Sequence, residues 1–269
     1  MSSQPEITLS SERPFQPVAE FLASLRFLTR LPIPFAKTAT PVPLSQAMRQ
    51  FGLAGAVIGA LIGLALKAIG FFHMPLLMAA SFGVGFSLLV TGALHEDGLA
   101  DTVDGLGGGK TRERRLEIMR DSRIGTYGAA ALMLALMCRA GAYIDLLGMA
   151  YGQTILVLSA CGAFSRAMVV DLLWATRSAR SDGLSVHAGR PSRNTALFAI
   201  ISAAAIAIWA GVDIAPMAGV EAIGVALLVT AGMRMLATKL IGGQTGDICG
   251  ATQVLCELAM LATYLSTIH

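Results

Sequence analysis

Long apolar segments separated by short polar ones dominate the hydrophobic pattern of the chain. A membrane-spanning helix needs about 20 mostly apolar residues. Seven segments approach that length: 51–68, 75–94, 128–147, 150–172, 196–212, 216–236 and 250–267. The pattern predicts an all-α fold, a polytopic transmembrane helical bundle of about seven spans.

The first fifty residues follow a different pattern. Residues 1–20 are polar and contain no apolar core, so they do not resemble a signal peptide, and we expect a flexible cytoplasmic tail. Residues 21–34 are amphipathic and carry Arg26 and Arg30, which favours a helix lying at the membrane interface. With no internal repeat, residues 21–269 are predicted to form a single integral membrane catalytic domain.

The composition agrees with a membrane protein. The 269 residues are 55% hydrophobic and 14% charged, whereas soluble proteins carry roughly 25% charged residues. The 29 glycines suit closely packed membrane helices. Four cysteines without CxxC spacing and four scattered histidines support neither a zinc site nor a disulfide framework. The net charge of +3 resides in a few loops rather than in a continuous stripe, so nucleic acid is not expected as a partner.

Lysine and arginine occupy alternate loops. They precede the first predicted span and follow the second, fourth and sixth, whereas the loops near 69–74, 148–149 and 213–215 contain none. Cytoplasmic loops of membrane proteins are enriched in these residues. The distribution predicts a cytoplasmic N-terminus, an external C-terminus and a lipid bilayer as the surroundings.

The segment HEDGLADTVDG, residues 95–105, follows the second predicted span. Asp97, Asp101 and Asp104 are spaced i, i+4, i+7 and share one helical face. Three adjacent carboxylates repel one another unless a cation lies among them. Mg²⁺ prefers such oxygens and completes its shell with water and substrate phosphates. We therefore predict that these aspartates are catalytic and bind metal; the alternative is an ordinary acidic helix end.

A second motif, MRDSRIGTYG, ends a glycine- and arginine-rich segment before the third span. Guanidinium groups match phosphate oxygens in a bidentate fashion. Arg120 and Arg123 are predicted to bind substrate phosphate, and Asp121 is predicted to be catalytic.

A third motif, IGGQTGDICGATQ at 241–253, forms a glycine-rich turn before the last span. Gly243 and Thr245 are candidate phosphate-binding residues. Asp247 is a candidate fourth metal ligand, or else an acid favoured by the dipole of the following helix. We expect this turn and the acidic segment to converge on one pocket bordered by Arg120 or Arg123.

Two arginines lie inside predicted spans, where a charge is expensive. Arg166, in the cytoplasmic third of the fourth span, is predicted to reach the site and bind phosphate. Arg139 lies deeper, and a structural ion pair explains it as well as a functional role does.

Together the three motifs resemble, in this order, those of the cobalamin synthases (adenosylcobinamide-GDP ribazoletransferases). The stretch FLTRLPIP at 27–34 is also similar to the start of that family, and the resemblance covers about residues 21–265. The family pattern falls on Asp97, Asp101 and Asp104, on 120–125, and on 242–247. It departs at Ser185, where the family often has glycine.

The resemblance implies a Mg²⁺-dependent enzyme of the bacterial inner membrane with its active site facing the cytoplasm. Its substrates would be adenosylcobinamide-GDP and α-ribazole or α-ribazole 5′-phosphate, and GMP would be released. A membrane prenyltransferase, an alcohol phosphotransferase and a transporter are the alternatives that the residues alone leave open. A homo-oligomer is compatible with the sequence.

Overall fold

The computed structural model describes residues 15–33, 42–183, 188–212, 214–215 and 217–267, and these residues are predominantly helical. The helices are α1 (Pro17–Leu28), α2 (Leu44–Ala47), α3 (Phe51–Gly70), α4 (Leu76–Thr91), α5 (Leu94–Gly108), α6 (Arg112–Ile118), α7 (Thr126–Gly148), α8 (Tyr151–Ala175), α9 (Arg193–Val212), α10 (Ala218–Ile241) and α11 (Gly246–Ser266). A 3₁₀ turn, Met48–Gln50, joins α2 to α3. In the described ranges, the β contacts amount to one bridge between Ser178 and Gln244.

Six helices are each long and apolar enough to cross a membrane: the continuous α2–α3 segment, α7, α8, α9, α10 and α11. A seventh span is obtained when the bent pair α4–α5 is taken together. The predicted all-α bundle of about seven spans is thereby confirmed. The second predicted span, 75–94, differs in detail, because its helix ends at Thr91 and the chain turns by 93° into α5.

Two consecutive left-handed residues cause this turn. Gly92 has a φ of 66° and Ala93 a φ of 54°, and the Ala93 N–H donates to the Leu88 carbonyl at 3.1 Å. Left-handed backbone costs an L-residue such as Ala93 about 1–2 kcal/mol. A Cβ on Gly92 would lie 2.4 Å from Nε of Arg30, so the chain after α1 packs against the bend. The turn directs α5 across the end of the bundle.

Helix α8 is the centre of the bundle, with 83% of its most apolar 18 residues buried inside the protein. It packs against α3 through glycines. A Cβ on Gly59 would lie 2.0 Å from the Leu158 carbonyl oxygen, and one on Gly55 would lie 2.1 Å from that of Gly162. The two backbones are therefore in direct contact, as small residues permit in membrane helices.

Helix α1 begins at Pro17, four residues before the segment predicted to be interfacial, and the predicted tail lies mostly outside the described residues. It packs on the start of the α2–α3 segment. The Ser24 hydroxyl donates to the Ala47 carbonyl at 2.8 Å, and the Phe27 ring stacks on Phe51 with 5.8 Å between centroids. One end of the bundle is thus covered by α1.

We expect Gly59→Leu to separate α3 from α8, because the added side chain meets backbone that cannot move aside. Overpacking of this kind costs about 1–3 kcal/mol or more. Thermal unfolding in detergent should show a clear loss of stability. Gly85→Leu is the matched control, because no atom lies within 4 Å of a Cβ at Gly85. Equal midpoints for both variants would contradict the tight contact.

Candidate active site

The acidic helix α5 crosses the first turn of α11 at a contact made by glycines. A Cβ on Gly98 would lie 2.9 Å from the Asp247 carbonyl oxygen and 3.1 Å from Cα of Gly250. Because neither glycine has a side chain, the helices approach closely. The acidic segment and the 241–247 turn therefore meet, as predicted.

A cavity opens beside this crossing, and one of its walls is polar. The polar residues on it are His95, Asp97, Arg166, Arg180, Asp182, Thr245 and Asp247. They come from α5, from α8 and the segment after it, and from the start of α11. The wall combines carboxylates with guanidinium groups, which suits a substrate that carries phosphates.

Arg166 is the most deeply buried cation of this wall, with 3% of its surface exposed. Its Nη1 donates to the Gly162 carbonyl at 3.0 Å. Its Nε is buried and has no hydrogen-bond partner among the described residues. A buried donor without a partner is costly, so this side chain is suited to an incoming anion.

The aspartate carboxylates of α5 and α11 interact electrostatically. Burial, followed by the neighbouring carboxylates of Asp97, Asp247 and Asp104, raises the pKa of Asp101 to about 7, while Arg180 opposes the shift. A carboxyl group with this pKa among other acids is stabilised in its charged form by a cation.

The donor set fits Mg²⁺ held jointly by protein and substrate. Within the described ranges, no three His, Cys, Asp or Glu side chains are grouped closely enough to hold a metal ion alone. Mg²⁺ usually takes only one or two carboxylates together with waters and phosphates. The predicted four-aspartate ligand set is thus not preassembled, and its metal role stays a prediction.

Asp104 has a structural function that its spacing did not reveal. Its carboxylate accepts hydrogen bonds from the backbone N–H groups of Gly125 at 2.7 Å and Gly128 at 2.8 Å. A Cβ on Gly125 would lie 2.4 Å from Oδ1 of Asp104, which explains the glycine. Asp104 therefore caps the N-terminus of α7, and a catalytic or metal role for it stays a prediction.

The second motif lies outside the cavity lining, so the expectation that Arg120 or Arg123 would border the cavity is wrong. Asp121 pairs with Arg123, with 2.7 Å between Oδ2 and Nη2, and these hydrogen bonds lower the pKa of Asp121 to about 2. This pair was predicted, but both side chains are exposed and lie outside the cavity lining. Arg120 instead pairs with Asp182, which lines the cavity. The assigned roles of Arg120, Asp121 and Arg123 stay predictions.

The third motif has clear packing reasons for its residues. A Cβ on Gly243 would lie 2.3 Å from the Arg177 carbonyl oxygen, so glycine lets the turn pair with the segment after α8. The Thr245 hydroxyl accepts from the Ile248 N–H at 3.3 Å, and it donates to Oδ2 of Asp247 at 3.1 Å. Thr245 thus caps α11 and orients Asp247 at the cavity, whereas Gly243 is required by packing. Phosphate binding by either stays a prediction.

Sequence reasoning missed Arg180 and Asp182 as site residues. Nη1 of Arg180 lies 3.5 Å from Oδ2 of Asp247, and its Nη2 donates to the Leu116 carbonyl at 3.0 Å. From the sequence alone, Arg180 is one of the loop cations that indicate membrane topology. The available signal was the segment RSARSD, which places charges of both signs close together, as the second motif does.

A buried ion-pair network lies behind the cavity and accounts for Arg139. Its guanidinium contacts Glu96 at 2.7 Å and Glu257 at 3.1 Å. Gln253 donates to Glu257 at 2.7 Å and to the Ser165 hydroxyl at 3.1 Å. Charges buried in a bundle require such partners. The structural interpretation of Arg139 is therefore supported.

The fold and the site define a polytopic helical membrane protein with a cavity lined by carboxylates and arginines at one end of its bundle. The chain belongs to the cobalamin-5-phosphate synthase family, whose model matches residues 20–265. No solved structure matches the chain.

Curated relatives cover nearly the whole chain. An adenosylcobinamide-GDP ribazoletransferase of Azorhizobium caulinodans is 44% identical over 91% of this chain and 94% of its own length. Proteins of the same name from Rhizobium johnstonii and Bradyrhizobium diazoefficiens are 40% and 38% identical, over 88% and 91% of this chain and 93% and 92% of their own lengths.

Asp104→Ala should destabilise the protein by about 1–2 kcal/mol, since it removes the cap of α7. Hydrogen exchange should accelerate at the amides of Gly125 and Gly128, and the thermal midpoint in detergent should fall. Asp121→Ala is the control, because its exposed pair contributes little to stability. Unchanged exchange at the start of α7 in Asp104→Ala would refute the capping function.

Proposed function

We propose that this protein is an adenosylcobinamide-GDP ribazoletransferase of the bacterial inner membrane. It joins adenosylcobinamide-GDP to α-ribazole or α-ribazole 5′-phosphate and releases GMP, forming adenosylcobalamin or its 5′-phosphate. The observation that carries the proposal is the cavity in which Asp97 and Asp247 face the buried Arg166. The names and identities of the curated relatives support the same activity.

The reaction is a phosphoryl transfer. A ribose hydroxyl of the ribazole attacks the phosphorus joined to cobinamide, and the bond from that phosphorus to the oxygen bridging it to GMP breaks. The hydroxyl proton passes to a cavity carboxylate, and GMP leaves with the bridging oxygen. Catalysis of this class depends on positioning and on stabilising charge at the phosphoryl oxygens.

The arginines of the polar wall suit that stabilisation. The Nε–H of Arg166 is a buried donor without a partner among the described residues, so it can donate to a phosphoryl oxygen without first breaking another hydrogen bond. Arg180 lies 3.5 Å from Asp247 and places a second positive charge beside the acids. Fixed donors in a site shielded from water stabilise developing charge more than mobile ones do.

Asp97, Asp101 and Asp247 are the residues that would hold Mg²⁺, together with substrate phosphates. When bound, the ion neutralises negative charge on the diphosphate and on the acids around it. Asp104 remains a further candidate ligand, provided that the metal and the start of α7 share its carboxylate.

The purified protein should release GMP from adenosylcobinamide-GDP and α-ribazole in the presence of Mg²⁺, as measured by chromatography. EDTA should abolish the release, and Mg²⁺ or Mn²⁺ should restore it. Asp101→Asn should lose at least 100-fold in rate, about 2.7 kcal/mol of transition-state stabilisation.

Glu221→Gln is the control for this experiment, because Glu221 is an exposed acid in the first turn of α10, away from the cavity. It should keep full activity. Near-normal turnover of a folded Asp101→Asn variant would show that the acidic helix α5 is not part of the catalytic site.

We further propose that the cavity faces the cytoplasm, on the basis of the one-sided distribution of Lys and Arg. Single cysteines at 108 and 148, both exposed positions, test this in a background without Cys138, Cys161, Cys249 and Cys256. Membrane-impermeant thiol reagents added to spheroplasts should label residue 148 and spare residue 108. Labelling of residue 108 instead would reverse the orientation.

A further inference from the structure

The cavity lining also includes a set of apolar residues, which we call the apolar wall. The apolar wall consists of Phe27, Leu28, Met48, Phe51, Leu94, Val169 and Leu173. These residues come from α1, the 3₁₀ turn, α3, α5 and α8. Their side chains are hydrocarbon or thioether and offer no N–H or O–H donor. The lining residues from α1, the 3₁₀ turn and α3 are all apolar, whereas α5 and α8 contribute both apolar and charged ones.

The apolar wall belongs to the packed interior. Leu28, Met48 and Phe51 are each 1% exposed, and the Phe27 and Phe51 rings lie 18° from parallel. Phe82 and Leu89 differ from them, because they are 56% and 76% exposed on the outer surface of α4. Contact with lipid therefore does not explain why this side of the cavity is apolar.

Resting on the proposed function, we infer that the apolar wall binds the benzimidazole ring of α-ribazole and directs its ribose toward the carboxylates. The ring is planar, aromatic and weakly polar, so burial against two phenylalanines and aliphatic side chains is favourable. The ribose hydroxyls, and a 5′-phosphate where present, then extend toward Asp97, Asp247 and the arginines. One substrate thereby spans both walls.

The other substrate fits this wall poorly. Guanine carries an amino group and a carbonyl group that need hydrogen-bond partners, and each buried polar group without a partner costs about 1–3 kcal/mol. The diphosphate of adenosylcobinamide-GDP requires cations, which are on the polar wall. The apolar wall therefore distinguishes the two substrates by their polarity.

Phe27→Ala tests this inference in the purified full-length protein. It should raise the KM for α-ribazole about tenfold, because a stacked, partly buried ring contributes on this order. The KM for adenosylcobinamide-GDP should stay within about twofold of the wild-type value. Phe82→Ala on the outer surface is the matched control and should leave both constants unchanged.

A second measurement uses the wild-type protein, so it does not depend on the folding of a variant. Free 5,6-dimethylbenzimidazole should inhibit competitively against α-ribazole and not against adenosylcobinamide-GDP. Guanosine at the same concentration should not compete with α-ribazole.

Four results would overturn the inference. An increase confined to the KM for adenosylcobinamide-GDP would assign the apolar wall to that substrate. Unchanged KM values in folded Phe27→Ala would rule out the ribazole subsite and leave the proposed function intact. Absence of competition by the free base, in an enzyme that turns over, would do the same. A wild-type protein that releases no GMP would defeat the proposed function, and the subsite with it.

Discussion

The 93° turn between α4 and α5 determines where the acidic residues of this protein lie. A straight continuation of α4 would carry Asp97, Asp101 and Asp104 along the axis of a spanning helix, toward solvent and away from the other helices. The left-handed backbone of Gly92 and Ala93 turns them instead across the end of the bundle. There α5 meets α11 and α7, and the contacts of the acidic segment described above depend on that placement.

Two buried arginines at this end of the molecule differ in how their charges are paired. Arg139 is buried and paired with two glutamates, so its charge is balanced within the protein. Arg166 is equally buried and lines the cavity, but it forms no ion pair with a carboxylate of the described residues. The first arrangement stabilises a fixed structure, because removal of one partner would leave an isolated charge. The second leaves a donor available for a substrate, and this difference separates the structural arginine from the proposed phosphate-binding one.

The cavity joins two chemical environments within a short distance. Its polar wall is built by α5, α8, the segment after α8 and the start of α11, and its apolar wall by α1, the 3₁₀ turn, α3, α5 and α8. A reaction that joins a polar phosphoryl group to a nucleoside with a weakly polar base requires both. Membrane helices supply the apolar wall readily, since their interior is hydrocarbon, while loops and helix ends supply the charges at low desolvation cost.

The sequence by itself determined the helical spans and the helical face shared by Asp97, Asp101 and Asp104, because both follow from local periodicity. The first and third motifs also identified two segments that meet at the site. Only the tertiary structure decided that Asp104 caps α7, that Arg180 and Asp182 join the cavity, and that Gly98 and Gly250 allow α5 to touch α11. It also placed the end of α4, the helix of the second predicted span, at Thr91, since nothing local marks Ala93 as left-handed. These features depend on which helices cross and how closely, and such contacts join residues far apart in the chain, where spacing carries no information.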